Sequence, residues 1–163
     1  MKKLAILYSE YTPTIDAVKF QLDGIAEIDT FKNEDEIDFE LYDIVAAINY
    51  SDETKNNVLK THYSLLPAFD GNEPVRQAIM AGVKVTGITF YYSAKGEIIA
   101  QYPVFIQNGA HYDEIVQECS YLEQTIYPYV IEKILKNEPF EIRNFMSRNS
   151  CSGNCGGCHG CSS

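Results

Sequence analysis

The sequence predicts an open α/β sheet, mostly parallel, with an antiparallel hairpin at one edge. Three observations point there. "KLAILY" and "DIVAAINY" are apolar runs of strand length. Between them "TIDAVKFQLDG" spaces its apolar residues as one face of a helix does. Further on, "VKVTGITFYYS" and "EIIAQYPVFI" are β-rich runs separated only by "AKG", the pattern of a hairpin.

Taken in order, "KLAILY" is the first buried strand, and the helix after it ends near Gly24, a residue suited to a C-terminal cap. "IAEIDTF" alternates like a strand, whereas "DEIDFELYD" is acidic and ambiguous. After "DIVAAINY", Ser51 is placed as a helix N-cap with Thr54 three residues on, part of a capping box without its Glu or Gln. "THYSLLPAFDG" is a loop punctuated by Pro and Gly, at the place where an open sheet puts its ligand crevice. It leads to a short helix with Pro74 in its first turn and Gly82 past its end. After the hairpin, "HYDEIVQECSYLEQTIYPYVIEKILKN" is a long helix that Pro128 is expected to kink or divide. Residues 1–140 are read as one α/β domain and residues 141–163 as a polar connector with a Cys-rich tail.

At 163 residues, 45% apolar and 22% charged, the chain suits a single globular core. A net charge of −10 argues against nucleic acid or an anionic membrane as the main partner, and leaves small molecules. No apolar run has the length of a membrane span. The opening "MKKLAILYSEYTPT" reads as a strand rather than a signal peptide, so a cytoplasmic location is expected.

From Lys60 to Leu135 the chain resembles the folate-dependent formyltransferases, most of all the phosphoribosylglycinamide formyltransferases. "HYSLLPAFDG" is similar to their H-P-S-L-L-P-x-x-x-G signature, with His62, Ser64, Leu65, Leu66, Pro67 and Gly71 matching. "RQAIMAGVKVTGITFYY", "EIIAQYPVFI" and "EQTIYPYVIEKIL" follow in the family's order. The resemblance implies a formyltransferase-like, Rossmann-type sheet, one-carbon transfer and a formyl-folate donor.

It also implies site residues. In the family a His, an Asn two residues before it and an Asp from a later loop surround the formyl group. His62 falls on the His and is expected to act as acid/base or oxyanion donor. Lys60 stands at the Asn position as an altered partner, and the "AKG" turn has no acidic residue where the family has its Asp. Glu123 falls on a position that contacts the substrate ribose. The loop after the first strand, "LYSEYTPTID", has Glu10 and no glycine where the family's Gly- and Ser-rich loop holds phosphate.

The tail carries Cys151, Cys155, Cys158 and Cys161 in the spacing C-x3-C-x2-C-x2-C. Thiolates so close together suit an iron–sulfur cluster or zinc. The alternative function is therefore a non-catalytic metal- or cluster-binding protein that reuses the scaffold. Plain structural readings stand beside the functional ones. His62 can be a loop histidine inherited with the fold, Lys60 a solvated helix-end lysine, and Glu123 a surface or capping carboxylate. His111 can simply open the long helix, Cys119 can be buried packing, and His159 an exposed spacer. The isomer of the Leu66–Pro67 bond is left open.

Overall fold

The structure is a computed structural model, and it describes residues 1–142. Among these residues, six strands form one sheet: β1 (Lys2–Leu7), β2 (Ala26–Phe31), β3 (Ile44–Ala47), β4 (Leu59–His62), β5 (Val85–Tyr92) and β6 (Glu97–Phe105). Their order across the sheet is β2-β1-β3-β4-β5-β6. The strands from β2 to β4 pair in parallel, while β4–β5 and β5–β6 pair antiparallel. The predicted mixed sheet with its edge hairpin is thus present. The chain leaves β1 toward β2 and returns to β3 on the other side, which creates a crevice at the carboxyl ends of β1 and β3.

Among the described residues three helices accompany the sheet: α1 (Pro13–Gln21), α2 (Pro74–Ala81) and α3 (Tyr112–Leu135). Pro74 opens α2, and Gly82 closes it at φ 71°, a left-handed geometry that costs glycine little. Along α3, Ile115, Cys119, Ile126 and Val130 recur at helical spacing and are buried. Ile126, Val130 and Ile131 pack with Ile15 and Val18 of α1 and Leu22 just past its end, over Leu4, Ile6, Leu59 and Phe90 of the sheet. The opposite sheet face buries Ala5, Leu7, Val45 and Val58 beneath Ile37.

The structure corrects the sequence reading in three places and resolves an ambiguous stretch. Ser51 caps no helix; its backbone N–H donates to Ser9 Oγ at 3.1 Å, and the chain stays irregular up to β4. Lys60 is not a helix-end lysine but a residue of β4. Pro128 does not divide α3, which runs from Tyr112 to Leu135. The acidic stretch forms two short 3-10 turns, Glu34–Glu36 and Phe39–Leu41.

The irregular segment before β4 is held by a carboxylate. Glu34 is 5% exposed and accepts the backbone N–H groups of Lys55 and Asn56 and the Asn56 side-chain amide at 2.9–3.1 Å. Burial alone would raise its pKa, but these N–H donors outweigh burial and leave it below the usual glutamate range.

Candidate functional site

A cavity of about 550 Å³ opens at the carboxyl ends of the central strands. Thr12 and Pro13 from the head of α1, Asn49 from the end of β3, and Lys60 to Tyr63 of β4 line one part of it. Tyr112, Ser120 and Glu123 of α3 line another. The loop after β1 is stitched to the end of β3. Ser9 N–H donates to Asn49 O at 3.1 Å, and Asn49 Nδ2 donates to Glu10 O at 3.3 Å.

Side chains alternate across a strand, so Lys60 and His62 share one face of β4, while Thr61 faces the other way with Leu59 and the α3 layer. Tyr63 continues the alternation one residue past the strand. Both Thr61 and Tyr63 meet Glu123. The Thr61 hydroxyl donates to one carboxylate oxygen, and the Tyr63 hydroxyl to the other at 2.9 Å. Glu123 is only 7% exposed, which corrects its reading as a surface carboxylate. Burial raises its pKa, and the two hydroxyl donors offset that only in part. Burial and the neighbouring Glu123 together raise the Tyr63 phenol well above its usual range.

His62 is oriented by the loop that follows it. Its Nε2 lies 2.8 Å from the carbonyl oxygen of Phe69. That loop contains a cis Leu66–Pro67 bond and is anchored to the hairpin. Thr89 Oγ1 accepts Leu66 N–H at 3.1 Å and donates to Ser64 O at 2.6 Å. Gln101 Nε2 donates to Leu66 O at 2.8 Å. Gly87 lets the loop sit this close, because a Cβ there would lie 2.5 Å from Leu65 Cδ2 and 2.2 Å from Tyr102 O.

The structure therefore brings Lys60, His62 and Glu123 to one cavity, with the first two and the third on opposite faces of β4. Among the described residues lining the cavity, Glu123 is the only carboxylate and Lys60 the only lysine. The turn between β5 and β6 adds no carboxylate, as its "AKG" sequence implies. Thr61, Tyr63 and the Phe69 carbonyl were not singled out by the sequence. Tyr63 carried a signal, since it occupies the Pro position of the H-P-S-L-L-P signature; a backbone carbonyl carries none.

Cys119 is fully buried, and burial pushes its thiol up to about 12, with Glu118 and Glu123 adding to the rise. It packs between helix and sheet as a neutral thiol, as expected. His111 lies at the head of α3, where its backbone N–H donates to Glu114 Oε2 at 3.1 Å. Cys151, Cys155, Cys158 and Cys161 lie outside the described residues, as does His159. Among the described residues no group of three or more His, Cys, Asp or Glu could hold a metal. No described helix is long and apolar enough to cross a membrane.

Comparison with known proteins places this site in context. Phosphoribosylglycinamide formyltransferase of Bacillus subtilis (strain 168) is 43% identical over 82 residues, 48% of this chain and 42% of that protein. Methionyl-tRNA formyltransferase of Halalkalibacterium halodurans is 33% identical over 88 residues, 52% of this chain and 28% of that protein. The matched segment thus spans less than half of either relative. The crystal structure of phosphoribosylglycinamide formyltransferase from Bacillus halodurans shares the fold. Its TM-score is 0.68 at 24% identity, covering 86% of this chain and 100% of that one. The profile described as formyl transferase matches residues 47–131, from the end of β3 through the cis-Pro loop and hairpin into α3. That segment is just over half of the chain and includes His62 and Glu123, so the chain belongs to the formyl transferase family.

Proposed function

We propose that this cavity transfers a formyl group from a formyl-folate donor to a small amine. The observation that carries the reading is His62, at the carboxyl end of β4 on the cavity wall and inside the region matched to the family. The amine nitrogen attacks the formyl carbon, forming a C–N bond and an oxyanion. Collapse then breaks the bond from that carbon to the folate nitrogen, which leaves carrying the proton lost by the amine. The products are a formamide and the folate without its formyl group.

Each step asks something of the chain. The Lys60 ammonium is the cation available to the oxyanion, in place of a neutral amide donor. His62 moves the proton from the attacking to the departing nitrogen. Glu123, held by Thr61 and Tyr63, presents a polar wall on the other side of β4 for the acceptor. In this reading residues 1–140 contain the whole site. No step is assigned to residues 141–163, which carry the four tail cysteines.

Isothermal titration with formyltetrahydrofolate tests the proposal, followed by transfer to a panel of amines. The panel includes phosphoribosylglycinamide and unphosphorylated amines, and mass spectrometry detects the formamide. Saturable donor binding and a formylated product are expected. No donor binding with any amine present would overturn the proposal.

A further inference from the structure

The bond between His62 and Phe69 settles more than the orientation of a ring. A carbonyl oxygen only accepts, so the 2.8 Å contact requires a proton on Nε2. In a neutral imidazole the other nitrogen, Nδ1, then carries a lone pair. Among the described residues Nδ1 has no hydrogen-bond partner, and His62 lines the cavity. We propose that the Phe69 carbonyl fixes His62 as the Nε2–H tautomer, so that His62 enters the reaction as a base at Nδ1 rather than as an oxyanion donor. Phe69 is therefore a positioning residue, acting through its backbone.

The loop is built to deliver this carbonyl. Phe69 sits at φ 52°, a left-handed conformation uncommon for an aromatic residue, and in that conformation its carbonyl meets His62 of β4. Ala68 N–H closes a turn onto Leu65 O at 3.0 Å, and Ser64 Oγ donates to Ala68 O at 2.6 Å. With the bonds to Thr89 and Gln101, these fix the loop on both sides of the cis proline.

The assignment divides the labour of the site. When Nδ1 takes the amine proton, the resulting imidazolium still donates from Nε2 to Phe69 O, and that bond strengthens with the charge. The same proton then returns from Nδ1 to the leaving folate nitrogen, so protons balance over the cycle. Lys60, on the same face of β4, is left as the cation for the oxyanion. A neutral carbonyl thereby orients the histidine in a site whose only lining carboxylate among the described residues, Glu123, lies across the strand.

The role in catalysis rests on the proposed formyl transfer, but the tautomer does not. Multiple-bond proton–nitrogen correlation spectra at alkaline pH read it directly, with His62 assigned by the signals missing in His62→Gln. The expected spectrum has Nε2 protonated, Nδ1 unprotonated and a visible Hε2 signal protected from exchange. Phe69→Gly, which accepts φ 52° without strain and keeps the backbone carbonyl, should keep that spectrum. Phe69→Pro, which fixes φ near −65°, should lose the Hε2 signal and slow transfer roughly tenfold, with donor affinity unchanged. Should Phe69→Pro fail to fold, the wild-type and Phe69→Gly spectra decide. A wild-type His62 protonated at Nδ1, or an unprotected Hε2, overturns the proposal. Failure to bind formyltetrahydrofolate with the tautomer intact overturns only the transfer reading.

Discussion

At the scale of single residues, the proposed reaction separates groups that react from groups that hold. In that reading His62 and Lys60 are of the first kind. His62→Gln is expected to lower formyl transfer by roughly a hundred- to ten-thousandfold, and Lys60→Met by about a hundredfold, both with folding unchanged by circular dichroism. Gly87 is of the second kind. A methyl group at residue 87 meets Leu65 and the Tyr102 carbonyl well inside contact distance. Gly87→Ala should therefore cost stability at the upper end of about 1–3 kcal/mol in urea unfolding. It should also displace Leu65, so the His62 Hε2 signal ought to weaken in the same variant.

Among the elements, β4 decides whether there is a site. It has four residues, and its one paired position with β3 joins Ala46 to Leu59. Tyr127 supplements this thin contact. From α3, its fully buried hydroxyl bridges Leu59 O at 2.7 Å and Ala47 O at 3.2 Å. Tyr127→Phe leaves the Leu59 carbonyl short of a partner and should destabilise the protein by about 1–3 kcal/mol. Hydrogen exchange should rise first in residues 59–62. The same strand shows where sequence reading stops. The hairpin is legible because β5 and β6 are long, β-rich and joined by a glycine turn. The helix α3 is legible because its apolar residues keep their period across Pro128. By contrast, "LKTH" has one apolar residue in four, and its strand conformation comes from pairing with β5 and from Tyr127, far away in sequence. His62 could be placed by motif, whereas its partner is a carbonyl and the caps on Glu123 depend on which way β4 turns its side chains.

Across the whole molecule, two buried glutamates act on stability in opposite directions of pH. The pKa of Glu34 is lowered by the N–H groups of the segment it holds. Its contribution is present above the ordinary glutamate value of about 4.3 and is lost as pH falls through its folded value. The pKa of Glu123 is raised by burial. Its protonated form favours the fold below that ordinary value, and this contribution is lost as pH rises through its own folded value. Thermal midpoints across pH should show the two separately. Glu34→Gln should flatten the acid limb, and Glu123→Gln should flatten the decline on the other side. If Glu123→Gln leaves the profile unchanged, the carboxyl is ionised in the fold without penalty, contrary to its buried setting.

The alternation of side chains along β4 has a consequence for how such a cavity changes over time. In the proposed reaction Lys60 and His62 answer to the formyl carbon, and Thr61, Tyr63 and Glu123 answer to whatever lies on the α3 side. Neighbours in sequence thus belong to different tasks, kept apart by the thickness of one backbone. Variation at residues 61, 63 and 123 can retune the choice of acceptor while leaving the proton-handling residues in place, so a library built on those three positions would sample new specificities from an intact catalytic background.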